Sequence, residues 1–183
     1  MTEDKLQENI SKYMSTWFNV TREVKSNDGK CRIDIIMIHK SDIYKKYPIG
    51  IEVKLVEKKQ GKDLAKWLKQ AHKYTQTKFI GFGEVLVITV PQITGYYLNE
   101  GTLMNQHDPF KHGNFAGQNN VNTFLGGFNI GELQKYNYIA HGTQWDKNKS
   151  GEYLRIVYKA SLIWDGVNDD LRTHNIERLW LAE

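Results

Sequence analysis

The chain has 183 residues, 40% of them hydrophobic and 25% charged, with a formal net charge of +4. Those proportions fit one globular domain with a sizeable core and exclude collagen-like, coiled-coil and wholly disordered chains. No apolar run reaches the roughly 18 residues that a membrane span needs, the opening MTEDKLQENI lacks the basic-then-apolar pattern of a secretory signal, and a lone Cys31 offers neither an internal disulfide nor a zinc framework.

In chain order, the first element is a helix over residues 3–18. Leu6, Ile10, Tyr13, Met14, Trp17 and Phe18 recur at three- and four-residue spacing, and Glu3 and Asp4 sit where a helix N-terminus favours negative charge. Next, NVTREVKS and CRIDIIMI flank Asp28-Gly29, the signature of a β-hairpin. HKSDIYKKYP reads as a loop and IGIEVKL as a third strand. Residues 62–78 form a second helix, with Leu64, Trp67, Leu68, Ala71 and Tyr74 on one side of the wheel and Lys62, Lys66, Lys69 and Lys73 on the other. GEVLVITV, β-branched and almost wholly apolar, reads as a strand covered on both faces. The strand–helix–strand connection predicts that it lies parallel to the third strand.

Residues 101–131 carry six glycines and six asparagines without helical or strand period, and read as a long loop or insertion. From Tyr153 to Trp164 the alternation of Leu154, Ile156, Tyr158, Ala160, Leu162 and Trp164 predicts one later strand, followed by a tail to residue 183. The fold class expected is α/β, a mixed central sheet flanked by helices, in a single domain over 1–183 with its core in 3–90.

Charge is unevenly spread. Residues 1–100 hold 17 Lys+Arg against 12 Asp+Glu, whereas residues 151–183 hold 4 against 6. Residues 54–78 contain eight lysines, including Lys58, Lys59, Lys62, Lys66, Lys69 and Lys73, against Glu57 and Asp63 alone. Such a cluster suits phosphate neutralisation, and equally a solvated helix face.

The chemistry centres on Asp34 and on Glu52-Val53-Lys54. Glu52 and Lys54, two apart in a strand, project from one face, while Ile51, Val53 and Leu55 anchor the other. Asp34 interrupts an otherwise apolar strand, which costs free energy unless the carboxylate is paired, exposed or metal-bound. If the two strands pair, Asp34 and Glu52 converge, and two carboxylates with nearby carbonyls suit Mg²⁺ or Mn²⁺. The plainer alternative pairs Asp34 with Lys54 or Arg32 and leaves Glu52 as a strand-edge charge.

The run RIDIIMI, then IGIEVKL, then a helix with Gln70 and Tyr74 resembles the PD-(D/E)xK, or restriction-endonuclease-like, nuclease superfamily, over roughly residues 3–90. Ile33 stands where the name motif has proline. The resemblance implies that Asp34 and Glu52 bind Mg²⁺ or Mn²⁺ with the Val53 carbonyl, and that Lys54 assists the attacking water. Gln70-x-x-x-Tyr74 resembles the helix motif of RecB-like members, which implies a role for Gln70 in catalysis and for Tyr74 at the nucleic acid. An acid of the first helix often completes such sites; Glu8 is the choice by position, with Glu23 in the first strand as competitor.

The resulting expectation is a Mg²⁺-dependent deoxyribonuclease of endonuclease type, acting on DNA in a bacterial or virus-infected cytoplasm, as a homodimer or in a larger nucleoprotein complex, with no membrane partner. Two rivals stand beside it: an inactive nuclease-fold protein that binds nucleic acid within an assembly, and an unrelated α/β binding module in which the motif is accidental. His107, His112 and His141 lack metal-ligand spacing, and Cys31 reads as a strand residue.

Overall fold

The computed structural model describes residues 2–41, 46–54, 61–90, 127–138, 151–158, 161–166 and 170–171. Helix α1 spans Glu3–Met14. Thr2 caps it by accepting the Lys5 N–H at 3.2 Å, and Leu6, Ile10 and Met14 form its buried stripe. The helix ends four residues earlier than its apolar spacing predicts. The Ser15 hydroxyl bonds back to the Lys12 carbonyl at 2.7 Å, and aromatic, β-branched residues follow. Trp17 and Phe18 still reach the core, but by packing edge-on against Trp164 rather than along the helix.

Strand β1 (Phe18–Lys25) pairs antiparallel with β2 (Arg32–His39) through the expected turn, where Gly29 takes φ +68°, a conformation open to glycine at little cost. Strand β3 (Ile49–Val53) pairs antiparallel with β2. Helix α2 (Gly61–Thr75) then returns the chain to β4 (Leu86–Val90), which lies parallel to β3 as predicted. Thr75 and Thr77 end that helix by bonding back to the carbonyls of His72 and Lys73, each at 2.8 Å.

Four strands complete the described part of the sheet: β5 (Ile130–Tyr138), β6 (Gly151–Tyr158), β7 (Ser161–Asp165) and the two-residue β8 (Asp170–Leu171). Strand β5 lies parallel to β4 and the last three pairings are antiparallel, so spatial order follows chain order through eight strands. The α/β mixed sheet is thus as expected, but two readings need correction. Ile130 and Gly131, read as the end of a loop, open β5, while residues 101–126 of that segment lie outside the described residues. The single strand expected over 153–164 is a hairpin of β6 and β7, with a register shift at Ile156/Val157. Leu154, Ile156 and Tyr158 are buried on β6, but on β7 both Ile163 and Trp164 are, because the turn restarts the alternation.

Alternate residues of β4 separate two cores. Leu86, Ile88 and Val90 join Leu6, Ile10 and Met14 of α1, whereas Val87 joins Ala71 and Tyr74 of α2. The helices therefore cover opposite faces of the sheet. Among the described residues no helix is long and apolar enough to cross a membrane.

Candidate active site at the fork of β2 and β3

The β2–β3 pairing runs from Met37 with Ile49 to Ile35 with Ile51. One step further on, the same register sets Asp34 opposite Glu52. There the strands part, and the Asp34 carboxylate fills the gap: Oδ2 accepts the Val53 N–H at 2.7 Å. A buried main-chain donor is thereby satisfied by a side chain in place of a neighbouring strand.

A backbone irregularity adjoins this point. Arg22 pairs with Ile35 and Val24 with Ile33, so Glu23 faces Asp34 across β1 and β2. Glu23 has φ +58°, left-handed for a residue with a Cβ, at a cost of order 1 kcal/mol or more. The reversal switches faces. Ile35 belongs to the α1-side core, and strict alternation would place Ile33 there too, yet Ile33 and its partner Val24 pack into the α2-side core. Asp34 stands at the switch, which turns its carboxylate toward β3.

Asp34 is 9% exposed and Glu52 is fully buried. Lys54 Nζ stands 3.0 Å from Glu52 Oε1 and 3.4 Å from Glu3 Oε1. The first contact is the close charged neighbour of Glu52 Oε1, and Oε2 has no hydrogen-bond partner among the described residues. Burial, then the neighbouring Asp34 charge, pushes the Glu52 pKa up to about 8 against the pull of Lys54. Asp34 is also raised, by burial, against the Val53 hydrogen bond. For Lys54, burial opposes the charge, but the surrounding Glu52, Asp34 and Glu3 carboxylates outweigh it and raise its pKa.

The plainer alternative is met in part: the Lys54 charge acts on Asp34, but the other two elements of that reading are absent. Glu52 is central and buried instead of lying at an edge, and Arg32 pairs with Glu23, its Nε 2.5 Å from Oε2, instead of with Asp34.

Other sequence-based assignments fall differently. Glu8 is corrected: it is exposed and paired with Lys5 at 2.7 Å, and the first-helix acid beside Lys54 is Glu3, one turn nearer the N-terminus. Tyr74 is corrected as a nucleic-acid contact. Its ring is 2% exposed, its hydroxyl donates to the Arg32 carbonyl at 2.6 Å, and it accepts from Gln70 Nε2 at 2.7 Å. Gln70 is thus engaged with Tyr74, not with a carboxylate. Burial pushes the Tyr74 pKa up to about 12, so the hydroxyl remains a donor. Lys66, Lys69 and Lys73 are exposed on α2. Lys58 and Lys59 lie outside the described residues, as do His107, His112 and His141, and for Lys62 only the backbone is described.

The register also extends the polar row beyond what sequence reading reached. Glu52 pairs with Thr89 and Thr89 with Glu132, and all three are buried. An acid inside the apolar start of β5 was the available signal, hidden because that strand follows a Gly/Asn-rich stretch.

Among the described residues no three His, Cys, Asp or Glu side chains gather closely enough to enclose a metal ion by themselves. Asp34 and Glu52 nonetheless provide hard oxygen donors, and Glu52 Oε2, fully buried and without a hydrogen-bond partner among the described residues, is what a cation would satisfy. Mg²⁺ commonly takes one or two carboxylates and completes its shell with water and substrate, so the donor set fits it. Comparison with protein-family models, with curated proteins and with solved structures returned no match.

Proposed function

We propose that the chain is a metal-dependent nuclease that hydrolyses phosphodiester bonds in DNA, with a restriction-endonuclease-like core formed by α1, β1–β3, α2 and β4. The observation that carries this reading is the meeting of Asp34, Glu52 and Lys54 at the fork of two strands, with Glu52 fully buried and Lys54 Nζ 3.0 Å from its Oε1. Such a group has no structural economy: burial and the neighbouring Asp34 charge raise the Glu52 pKa, which destabilises the free protein at neutral pH.

Asp34 and Glu52 would hold Mg²⁺ or Mn²⁺, together with the Val53 carbonyl. The ion would supply Lewis acidity at the scissile phosphate and a more acidic water. The chain's own residues supply the rest. The Val53 N–H fixes the Asp34 rotamer, so that the carboxylate is preorganised. Lys54, held between Glu52 and Glu3, orients the attacking water and offsets charge that develops on the phosphate. Tyr74 and Gln70 tie α2 to the Arg32 carbonyl, and so keep β2 in place two residues before Asp34.

The test is incubation of labelled linear, nicked, branched and single-stranded DNA with Mg²⁺, Mn²⁺ or chelator. Cleavage of at least one substrate with either cation, and none with chelator, is expected. Binding without cleavage of any substrate would favour an inactive nuclease-fold protein, and neither binding nor cleavage would reject both readings.

A further inference from the structure

Lys54 is already held between two acidic side chains, Glu52 at 3.0 Å and Glu3 at 3.4 Å. A polyanionic substrate arriving at this acidic fork therefore needs another cation to hold its backbone. Arg32 is placed for that task. It lies on β2 two residues from Asp34, its side chain is 59% exposed, and its carbonyl is anchored by the buried Tyr74 hydroxyl. The guanidinium is thus carried on a fixed stretch of backbone beside the proposed chemistry, and its planar fork matches phosphate.

In the free protein that guanidinium is engaged by Glu23. Glu23 holds its carboxylate there from a left-handed backbone in the middle of a strand, facing Asp34. An exposed surface ion pair contributes little stability and does not account for such a conformation. Strain of this kind gathers at sites where a side chain must be held in one place.

Resting on the nuclease reading above, we infer that Arg32 grips a backbone phosphate of the bound nucleic acid, and that Glu23 is its stand-in anion in the free protein, displaced when the substrate arrives. Exchange of a carboxylate for a phosphate keeps the guanidinium paired at both stages. Glu23 also disfavours weakly bound anions, since any competitor must replace it.

The experiment is DNA-binding anisotropy across a salt series in Ca²⁺, with wild type, Arg32→Gln, Arg32→Lys and Glu23→Gln, each checked by its melting curve. Arg32→Gln should weaken binding by about tenfold or more, the loss expected for one charge-assisted contact, and should reduce the slope of log affinity against log salt by about 0.9. Arg32→Lys should restore the slope but only part of the affinity. Glu23→Gln, which frees the guanidinium, should tighten binding.

Unchanged affinity and slope in Arg32→Gln would overturn the inference, as would weaker binding by a folded Glu23→Gln. If Arg32→Gln does not fold, Arg32→Lys and Glu23→Gln decide by the same criteria. Wild-type DNA binding and cleavage with an indifferent Arg32 would sink the inference alone. Absence of both in the wild type would sink the nuclease reading with it.

Discussion

At the scale of single residues, the proposed chemistry depends on a carboxyl group that the fold makes unwilling to ionise. Glu52 keeps its proton in the folded chain up to about pH 8, whereas its ordinary value is 4.5. Between those limits the folded state binds more protons than the unfolded one, so stability falls as pH rises through that window. Below it both states are protonated and the penalty vanishes; above it the penalty is complete. In metal-free buffer, Glu52→Gln should therefore melt higher than wild type at pH 8 and above, with the difference shrinking toward pH 5. A difference that grows on acidification would contradict the assignment. The same proton must leave when a cation binds. Calorimetry at pH 7 in buffers of different ionisation enthalpy should detect proton release on Mg²⁺ or Mn²⁺ binding, and the release should disappear in Glu52→Gln. Tyr74→Phe removes both the bond to the Arg32 carbonyl and the acceptor for Gln70, at a cost of about 1–3 kcal/mol in a buried setting. It should lower turnover and, by loosening the backbone that carries Arg32, weaken DNA binding as well; wild-type turnover and affinity in a folded Tyr74→Phe would show that the anchor is not needed.

At the scale of elements, close packing positions the fork. Gly50 lies in β3 two residues before Glu52, and a Cβ there would meet Ile33 Cδ1 at 2.6 Å and Val85 Cγ2 at 2.8 Å. Gly50→Ala should cost about 1–3 kcal/mol by overpacking. It should also lower cleavage more than DNA binding, because Ile33 adjoins Asp34; a melting temperature equal to wild type would show that both side chains yield freely. Much of this region was legible in the sequence. The Asp28-Gly29 turn, the parallel return to β4 and the shared face of Glu52 and Lys54 follow from short-range pattern. What pattern could not supply depends on long-range contact. Helix α1 stops at Met14, and its next apolar residues, Trp17 and Phe18, pack on Trp164, about 150 positions away in the chain. The first-helix acid was misplaced for a related reason: periodicity gives the face of a helix, but the end that meets Lys54 depends on how the helix lies across the sheet. The left-handed Glu23 carries no glycine or asparagine to announce it.

At the scale of the whole molecule, α1 and α2 cover opposite faces of one mixed sheet, and the acidic fork opens where β2 and β3 diverge. Helix α2 turns Trp67, Ala71 and Tyr74 inward and leaves Lys66, Lys69 and Lys73 exposed. Replacing Lys62, Lys66, Lys69 and Lys73 together by Gln should weaken DNA binding and flatten its salt dependence, with little effect on the melting temperature; an unchanged slope would mark the stripe as solvated surface. The proposed function stands or falls with Asp34, Glu52 and Lys54 acting together as a metal-dependent hydrolytic site. The most direct measurement is single-turnover cleavage of labelled DNA with saturating Mg²⁺ or Mn²⁺ by the wild-type chain and by Glu52→Ala, each verified as folded. Cleavage by the wild type is expected, with a loss of about 100-fold or more in the variant, comparable to removing a principal electrostatic contributor to a transition state. Cleavage by a folded Glu52→Ala at the wild-type rate would contradict it.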